Sequence, residues 1–275
     1  MALINPAIDS FYNQSSEETR LQLGLGPLEF VRNKELISRY LNGTKLAIAD
    51  VGGGPGHYAA WLSGLGHEVT LIDPVQKHVQ QAEKRAKKAK TPFKSLLGEA
   101  KKLPFADNSI DVVILHGPLY HIQNREERLA AIKEAKRVLK NGGVVLGFAI
   151  TFAASTLAAF QSGMFHHPAV FDMCMAELST SLHQPPKAFL GMLAEAYFHR
   201  PSALRNEFEA CGLQVLNLVA VEGVIWMDKS FFESWATEAK RERLLQLLAQ
   251  TEADQELLCL SPHMMLAAQK VGKNA

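Results

Sequence analysis

Ala49-Asp50-Val51-Gly52-Gly53-Gly54-Pro55-Gly56 is the stretch on which the reading of this chain turns. A short apolar run, 46–51, leads into it and a segment of helical spacing, 57–65, follows it. That is how a buried parallel strand reads when it turns sharply into a helix. Glycine suits such a turn because the backbone bends tightly and a bulky ligand must approach it closely. The following helix aims its first amides and its dipole toward an anionic group. Asp73, at the end of the next apolar run, 68–72, stands where a carboxylate can accept hydrogen bonds from both ribose hydroxyls of an adenosine. Pro74, beside it, joins Asp73 among the cofactor-binding candidates.

Outward from this loop the rhythm continues. A charged helix is expected over 75–90, a third strand over 93–97, a fourth over 110–115 and a helix over 125–139. Asn141-Gly142-Gly143 predicts a turn into a fifth strand, 144–150. Strands alternating with helices at this spacing imply right-handed crossovers and a doubly wound sheet. Before the loop, Leu28, Phe30, Val31, Ile37, Tyr40 and Leu41 give a broad apolar helical face that Asn42-Gly43 stops. After 150 the alternation breaks. Residues 152–200 are rich in Phe, Met and His and contain Pro185-Pro186, and read as inserted helices and loops. A helix over 202–211, a strand over 213–221, a helical piece over 231–248 and a closing strand over 263–271 complete the pattern. The fold class is therefore α/β: about seven strands, mostly parallel with an antiparallel last strand, helices on both faces, and a helical lid insertion. The divisions are a helical lid (1–44), the ligand-binding core (45–150), an insertion or substrate lid (151–200) and the rest of the sheet with its own helical insertion (201–275).

Composition narrows the function. The chain has 275 residues, enough for one large α/β domain with a sizeable core. With 29 basic against 28 acidic residues it lacks the charge footprint of a general nucleic-acid binder. Cys174, Cys211 and Cys259 are odd in number and far apart, and suggest neither disulfides nor a metal site. The start has no signal-peptide pattern and no apolar run reaches the roughly 20 residues of a membrane helix, so a cytoplasmic location is expected.

Two cofactor classes use a glycine loop of this kind. The nicotinamide pattern, G-x-G-x-x-G, fails from Gly52 because position 57 is His, and passes only loosely from Gly54. The form D-x-G-x-G-x-G is met in full by Asp50, Gly52, Gly54 and Gly56. The later motifs extend the match. Gly98-Glu99-Ala100, Leu103-Pro104-Phe105 and Asp107-Asn108-Ser109-Ile110-Asp111 are followed by His116-Gly117-Pro118-Leu119-Tyr120-His121 and Arg137-Val138-Leu139-Lys140-Asn141-Gly142-Gly143. From about 45 to 150 the chain resembles the class I S-adenosylmethionine-dependent methyltransferases with their Rossmann-like sheet, in the broad group of the ubiquinone and menaquinone biosynthesis enzymes. Its G-P-L-Y-H stretch is similar to a subset of uncharacterised bacterial members.

The resemblance implies the cofactor S-adenosylmethionine, the product S-adenosylhomocysteine and no metal. It assigns Gly52, Gly54 and Gly56 to the methionine and ribose side, Glu99 and Ala100 to the adenine, and His116 to the methionine moiety. Asp50 would fix the loop or meet the cofactor's ammonium. His121 and Tyr120, at the sheet's carboxyl edge, are the catalytic candidates, since a neutral His can take a proton from an oxygen or nitrogen nucleophile. The bland alternative is that His121 caps the next helix or packs beneath the cofactor. Tyr12 and Arg32, near the N-terminal lid, and His199 and Arg200, before a proline-started helix, are further substrate candidates. His166-His167 has no third ligand at metal spacing, and the basic run from Lys84 to Lys90 reads as a solvated helix face.

The expected acceptor is a small molecule with an apolar part, under the Phe- and Met-rich insertion, in a monomer or homodimer that engages neither nucleic acid nor membrane. The rival readings are methylation of RNA or protein, a nicotinamide oxidoreductase, and a non-catalytic protein that keeps the cofactor fold.

Overall fold

The computed structural model describes residues 3–189 and 192–272, so the extreme ends of the first and last divisions and residues 190–191 of the insertion lie outside the described residues. Three helices come first: α1 (Pro6–Gln14), α2 (Glu17–Arg20) and α3 (Gly26–Ser38). Strand and helix then alternate through β1 (Ala47–Val51), α4 (His57–Gly64), β2 (Glu68–Asp73), α5 (Gln76–Lys88), β3 (Lys94–Leu97) and β4 (Ile110–Leu115). Next come α6 (Pro118–His121), α7 (Arg125–Val138) and β5 (Leu139–Ile150). The insertion holds α8 (Ala154–Ser162), α9 (Pro168–Thr180) and a small ribbon of β6 (Leu182–His183) with β7 (Ala196–Tyr197). The remainder supplies α10 (Pro201–Ala210), β8 (Gln214–Ala220), α11 (Phe231–Ala236), α12 (Glu238–Thr251) and β9 (His263–Gln269).

Seven strands form one sheet in the order β3-β2-β1-β4-β5-β9-β8. Neighbours are parallel except β9, which runs antiparallel to both β5 and β8. Val51 lies opposite Ile72 on one side and Leu115 on the other, so the loops after β1, β2 and β4 leave the sheet at one level. The strand order reverses between β1 and β4, and the crevice that opens there is where doubly wound sheets take their ligands.

Alternation along the strands fills two layers. Ala49, Val51, Val113, Leu115 and Val145 pack against Leu129, Ile132 and Ala135 of α7 and Leu204 and Phe208 of α10. Ile48, Leu71, Val112, Ile114 and Leu146 face Leu36 and Ile37 of α3, Leu62 of α4 and Ala82 and Ala86 of α5. Helix starts follow local chemistry. Asn5 caps α1 by accepting from the Ala7 amide with Pro6 at the first helical position, and Asn124 caps α7 by accepting from Glu127.

Two expectations change in detail. The 231–248 helix is two helices, because Thr237 adopts an extended conformation between α11 and α12. Asn141-Gly142-Gly143 is an irregularity within β5 and not a turn before it: pairing with β4 jumps from Ile110–Leu139 to Val112–Val144. Gly142, at φ +81°, absorbs the extra residues. The insertion has its own small core of Ala159, Val170, Met173 and Cys174, with Phe160, Phe171 and Met175 left on the surface. Among the described residues no helix is long and apolar enough to cross a membrane.

Candidate functional site

The loop after β1 is shaped by close approaches. Gly52, at φ +75°, donates its amide to the Ile72 carbonyl at 2.7 Å, and a Cβ there would lie 1.8 Å from the His116 carbonyl oxygen. Gly56, at φ +83°, sits against Phe93. Gly54, at φ +56°, has nothing near its absent Cβ and donates its amide to Asp73 Oδ2 at 2.9 Å. The other oxygen of Asp73 accepts from the Val75 amide at 2.9 Å and meets His78 Nδ1 at 3.1 Å. Asp73 thus ties the end of β2 to the glycine loop and to the first turn of α5. His78 is buried, and its Nε2 has no partner among the described residues.

Beneath the loop lies Asp50, fully buried, with neither carboxylate oxygen hydrogen-bonded. His116 Nδ1 is 3.8 Å from Asp50 Oδ1, beyond hydrogen-bonding reach, and both ring nitrogens of His116 also lack partners. The His116 ring is stacked between Tyr58 and Phe148, with centroids 4.6 and 4.0 Å away, which fixes its plane. Buried polar atoms are normally satisfied, so this concentration of unused capacity marks a place for a polar ligand group.

The N-terminal segment forms the roof. The Tyr12 hydroxyl is hydrogen-bonded to His121 Nε2 at 2.6 Å, and the Tyr12 ring stands edge-on to His78. Burial, with His78 nearby, pushes the His121 imidazole down to about 3, so it is neutral at physiological pH. Burial likewise drives the Tyr12 and Tyr120 phenols up, which keeps both protonated. Arg20 forks onto Glu29 at 2.6 and 2.9 Å and reaches Glu17 through Nε at 2.6 Å. Burial alone would raise Glu29, but the Arg20 charge and hydrogen bonds outweigh it and hold the carboxyl at about 2. Glu29 also converges with Glu222 and His263, whose ligand atoms lie within 4.8 Å of one another. These groups already hold partners: Arg20 occupies Glu29, while Ser261 and His263 occupy Glu222.

One cavity of about 580 Å³ gathers most of the sequence candidates: Tyr12, Gly52, Gly54, Asp73, Pro74, Glu99, Ala100, His116, Tyr120 and His121. Asp50 and Gly56 are not among its lining residues; Asp50 lies directly behind Gly53, which is. Three candidates are placed elsewhere. Arg32 is buried in a network with Glu35, Glu252 and the Val221 carbonyl. His199 meets Glu207 at 3.3 Å behind the sheet edge, and Arg200 holds the Leu178 carbonyl at 2.7 Å over the Phe152 ring. None of the three lines the cavity, and neither does any described residue of the insertion. Both catalytic candidates, His121 and Tyr120, line the cavity, and the hydroxyl bonded to His121 is that of Tyr12. Sequence reasoning missed His78, Glu17, Arg20, Glu29 and Tyr58, all on the cavity wall. Only His78 left a trace, one turn into the helix that follows Asp73.

Residues 49–147 match the sequence model described as "Methyltransferase domain". An uncharacterized methyltransferase of Schizosaccharomyces pombe is 37% identical over 107 residues, which are 36% of this chain and 37% of that protein. The demethylmenaquinone methyltransferase of Staphylococcus aureus is 36% identical over 100 residues, covering 35% and 40%. The chain thus spans well under half the length of these curated relatives. Among solved structures, a SAM-dependent methyltransferase of Methanosarcina mazei superposes with a TM-score of 0.59 at 18% identity, over 86% of this chain and 97% of that one. Over residues 49–147 the chain is thus similar to methyltransferase domains, and it has the Rossmann-like fold seen in a solved S-adenosylmethionine-dependent methyltransferase.

Proposed function

We propose that this protein transfers a methyl group from S-adenosylmethionine to a small organic acceptor and releases S-adenosylhomocysteine. The observation that carries the reading is the convergence, on one cavity, of the Gly52–Gly54 loop, the Asp73 carboxylate and the unpartnered polar atoms of His116, with Asp50 directly below. These residues fit that cofactor. Gly54 leaves backbone open to a close ligand. Asp50 and His116 have free acceptor capacity suited to an ammonium group, and Asp73 with the free His78 Nε2 suits vicinal hydroxyls. Glu99 and Ala100, beyond the end of β3, are assigned to the adenine edge.

The cofactor supplies a methyl group already activated on a sulfonium, so the protein has to align the nucleophile and exclude water. Tyr12, Tyr120 and His121 do this from above. With its pKa near 3, His121 is a weak proton acceptor, and its part is to hold the Tyr12 hydroxyl in place. The acceptor then arrives with its lone pair available. A small size is supported by the roof: Ile8 and Tyr12 line the cavity from the α1 side and narrow the approach of a folded RNA or protein acceptor. The near-neutral charge of the chain agrees. With the insertion off the cavity wall, an apolar part of the acceptor has to be argued from the roof residues Leu3, Ile4 and Ile8 instead.

Calorimetric titration with S-adenosylhomocysteine and with NADH tests the assignment. Micromolar binding of the first alone, weakened at least about tenfold by Asp73→Ala, is the expected result. Binding of NADH, or of neither ligand by the folded protein, overturns it.

A further inference from the structure

The roof is fastened by one stripe of α5. Lys77, Gln81 and Arg85 are four residues apart and so share a helix face. Lys77 Nζ donates to three carbonyls, those of Tyr12 at 3.2 Å, Asn13 at 2.9 Å and Ser15 at 3.0 Å. This uses all three donors of the ammonium on the C-terminal end of α1, where a helix presents unpaired carbonyls and the negative end of its dipole. One turn on, Gln81 donates to Glu18 Oε2 at 3.1 Å. A further turn on, Arg85 reaches Glu18 Oε1 at 3.3 Å and the Pro55 carbonyl at 2.9 Å.

The other polar ties of the segment are Tyr12 to His121, the Glu18 carbonyl to His57 and Arg20 to Glu29, and its apolar anchorage is slight. Ile8 is the single buried residue of α1, and α2 buries none. An element with so little apolar anchorage belongs to the low-stability end of a structure, where local opening occurs. The next residue along α5, His78, bonds Asp73. One helical turn therefore grips both the floor of the cavity and its roof.

We propose that Lys77 is a positioning residue that latches α1 over the cavity, with Gln81 and Arg85 as supporting contacts. The latch fixes Tyr12 on His121 and sets the rate at which cofactor and product exchange. The second half of this statement rests on the cofactor reading above; the first half does not.

The test compares Lys77→Met, which keeps the aliphatic stem and removes the ammonium, with Lys87→Met, exposed on the same helix and off the stripe. Hydrogen exchange in the ligand-free protein reads the roof directly, and stopped-flow release of S-adenosylhomocysteine reads the gate. Lys77→Met should speed exchange of the α1 amides and product release by about tenfold each, the loss expected for a charge-assisted contact. Lys87→Met should change neither, and both variants should keep the parent far-ultraviolet dichroism. Unchanged α1 protection in folded Lys77→Met overturns the latch. Faster exchange together with no binding of S-adenosylhomocysteine by any variant upholds the latch and overturns the cofactor assignment alone.

Discussion

Gly52 and Gly54 look alike in the sequence but are held for different reasons. Both have positive φ, yet only Gly52 has backbone, the His116 carbonyl, where a side chain would go. Gly52→Ala therefore forces β1 and β4 apart at the crevice, and a large loss of stability in urea denaturation is expected. Gly54→Ala meets no atom and carries only the left-handed backbone strain, roughly 1–2 kcal/mol. Its methyl group projects toward the cavity, so the prediction is a folded protein with cofactor affinity reduced about tenfold or more, read by calorimetry. If Gly54→Ala unfolds as readily as Gly52→Ala, the loop is structural and not a cradle. At this scale the loop and Asp73 were legible because backbone sterics and strand ends are local properties. The Tyr12–His121 bond was not, because it joins positions 109 residues apart and no short-range pattern encodes it. Arg32 misled for a related reason. An arginine at a helix surface looks the same in sequence whether it faces a substrate or, as here, a buried Glu252 supplied from far along the chain.

Among the elements, α6 is too short to hold itself, four residues opened by Gly117 at φ +102°. Arg128 of α7 holds its exit by donating to the Ile122 and Gln123 carbonyls at 3.0 and 2.7 Å. The same guanidinium is paired with Glu207 of α10 at 2.7 Å and lies over the Tyr197 ring, with almost no exposure. Arg128→Met removes one partner of a buried ion pair and strands the Glu207 carboxylate, which typically costs about 3–5 kcal/mol. Arg128→Met with Glu207→Gln should recover part of that loss in denaturant titrations; an additive double variant would show that the pair is not coupled. The helices and strands themselves were readable from apolar spacing, and their errors are informative. The break falls at an extended Thr237 and the β5 irregularity at Gly142, a glycine signal that was read as a turn before the strand instead of one inside it. The insertion was read as a lid from its Phe and Met content, but no described residue of it lines the cavity, whereas Leu3, Ile4, Ile8 and Tyr12 of the N-terminal segment do.

For the molecule as a whole, two histidines pull stability in opposite directions with pH. His121, buried and held near 3, stays neutral in the fold while the unfolded chain gains a proton below about 6.5, so stability falls as pH drops. His263 is pushed down by burial but raised more strongly by Glu222, to about 9; the fold keeps a proton that the unfolded chain loses above about 6.5, and stability falls as pH rises toward 9. Glu29, held near 2, adds to the acid limb below about 4.5. Maximum stability is therefore expected close to pH 6.5, measured as urea midpoints across pH 5 to 9. His263→Gln should flatten the alkaline limb only. An unchanged limb would mean that the Glu222 pair is open in solution.

The reversed strand has a consequence for synthesis. β9 lies between β5 and β8, although its residues follow both in the chain. While a ribosome is still making residues 263–269, β5 and β8 each carry a raw edge with unpaired amides and carbonyls, the condition under which strands recruit the wrong neighbour. The Rossmann-like half can form as it emerges, but the sheet is sealed only by a segment delivered after every other strand. The union of β5 with β8 thus waits on residues 263–269, and until they are made both edges are open to mispairing.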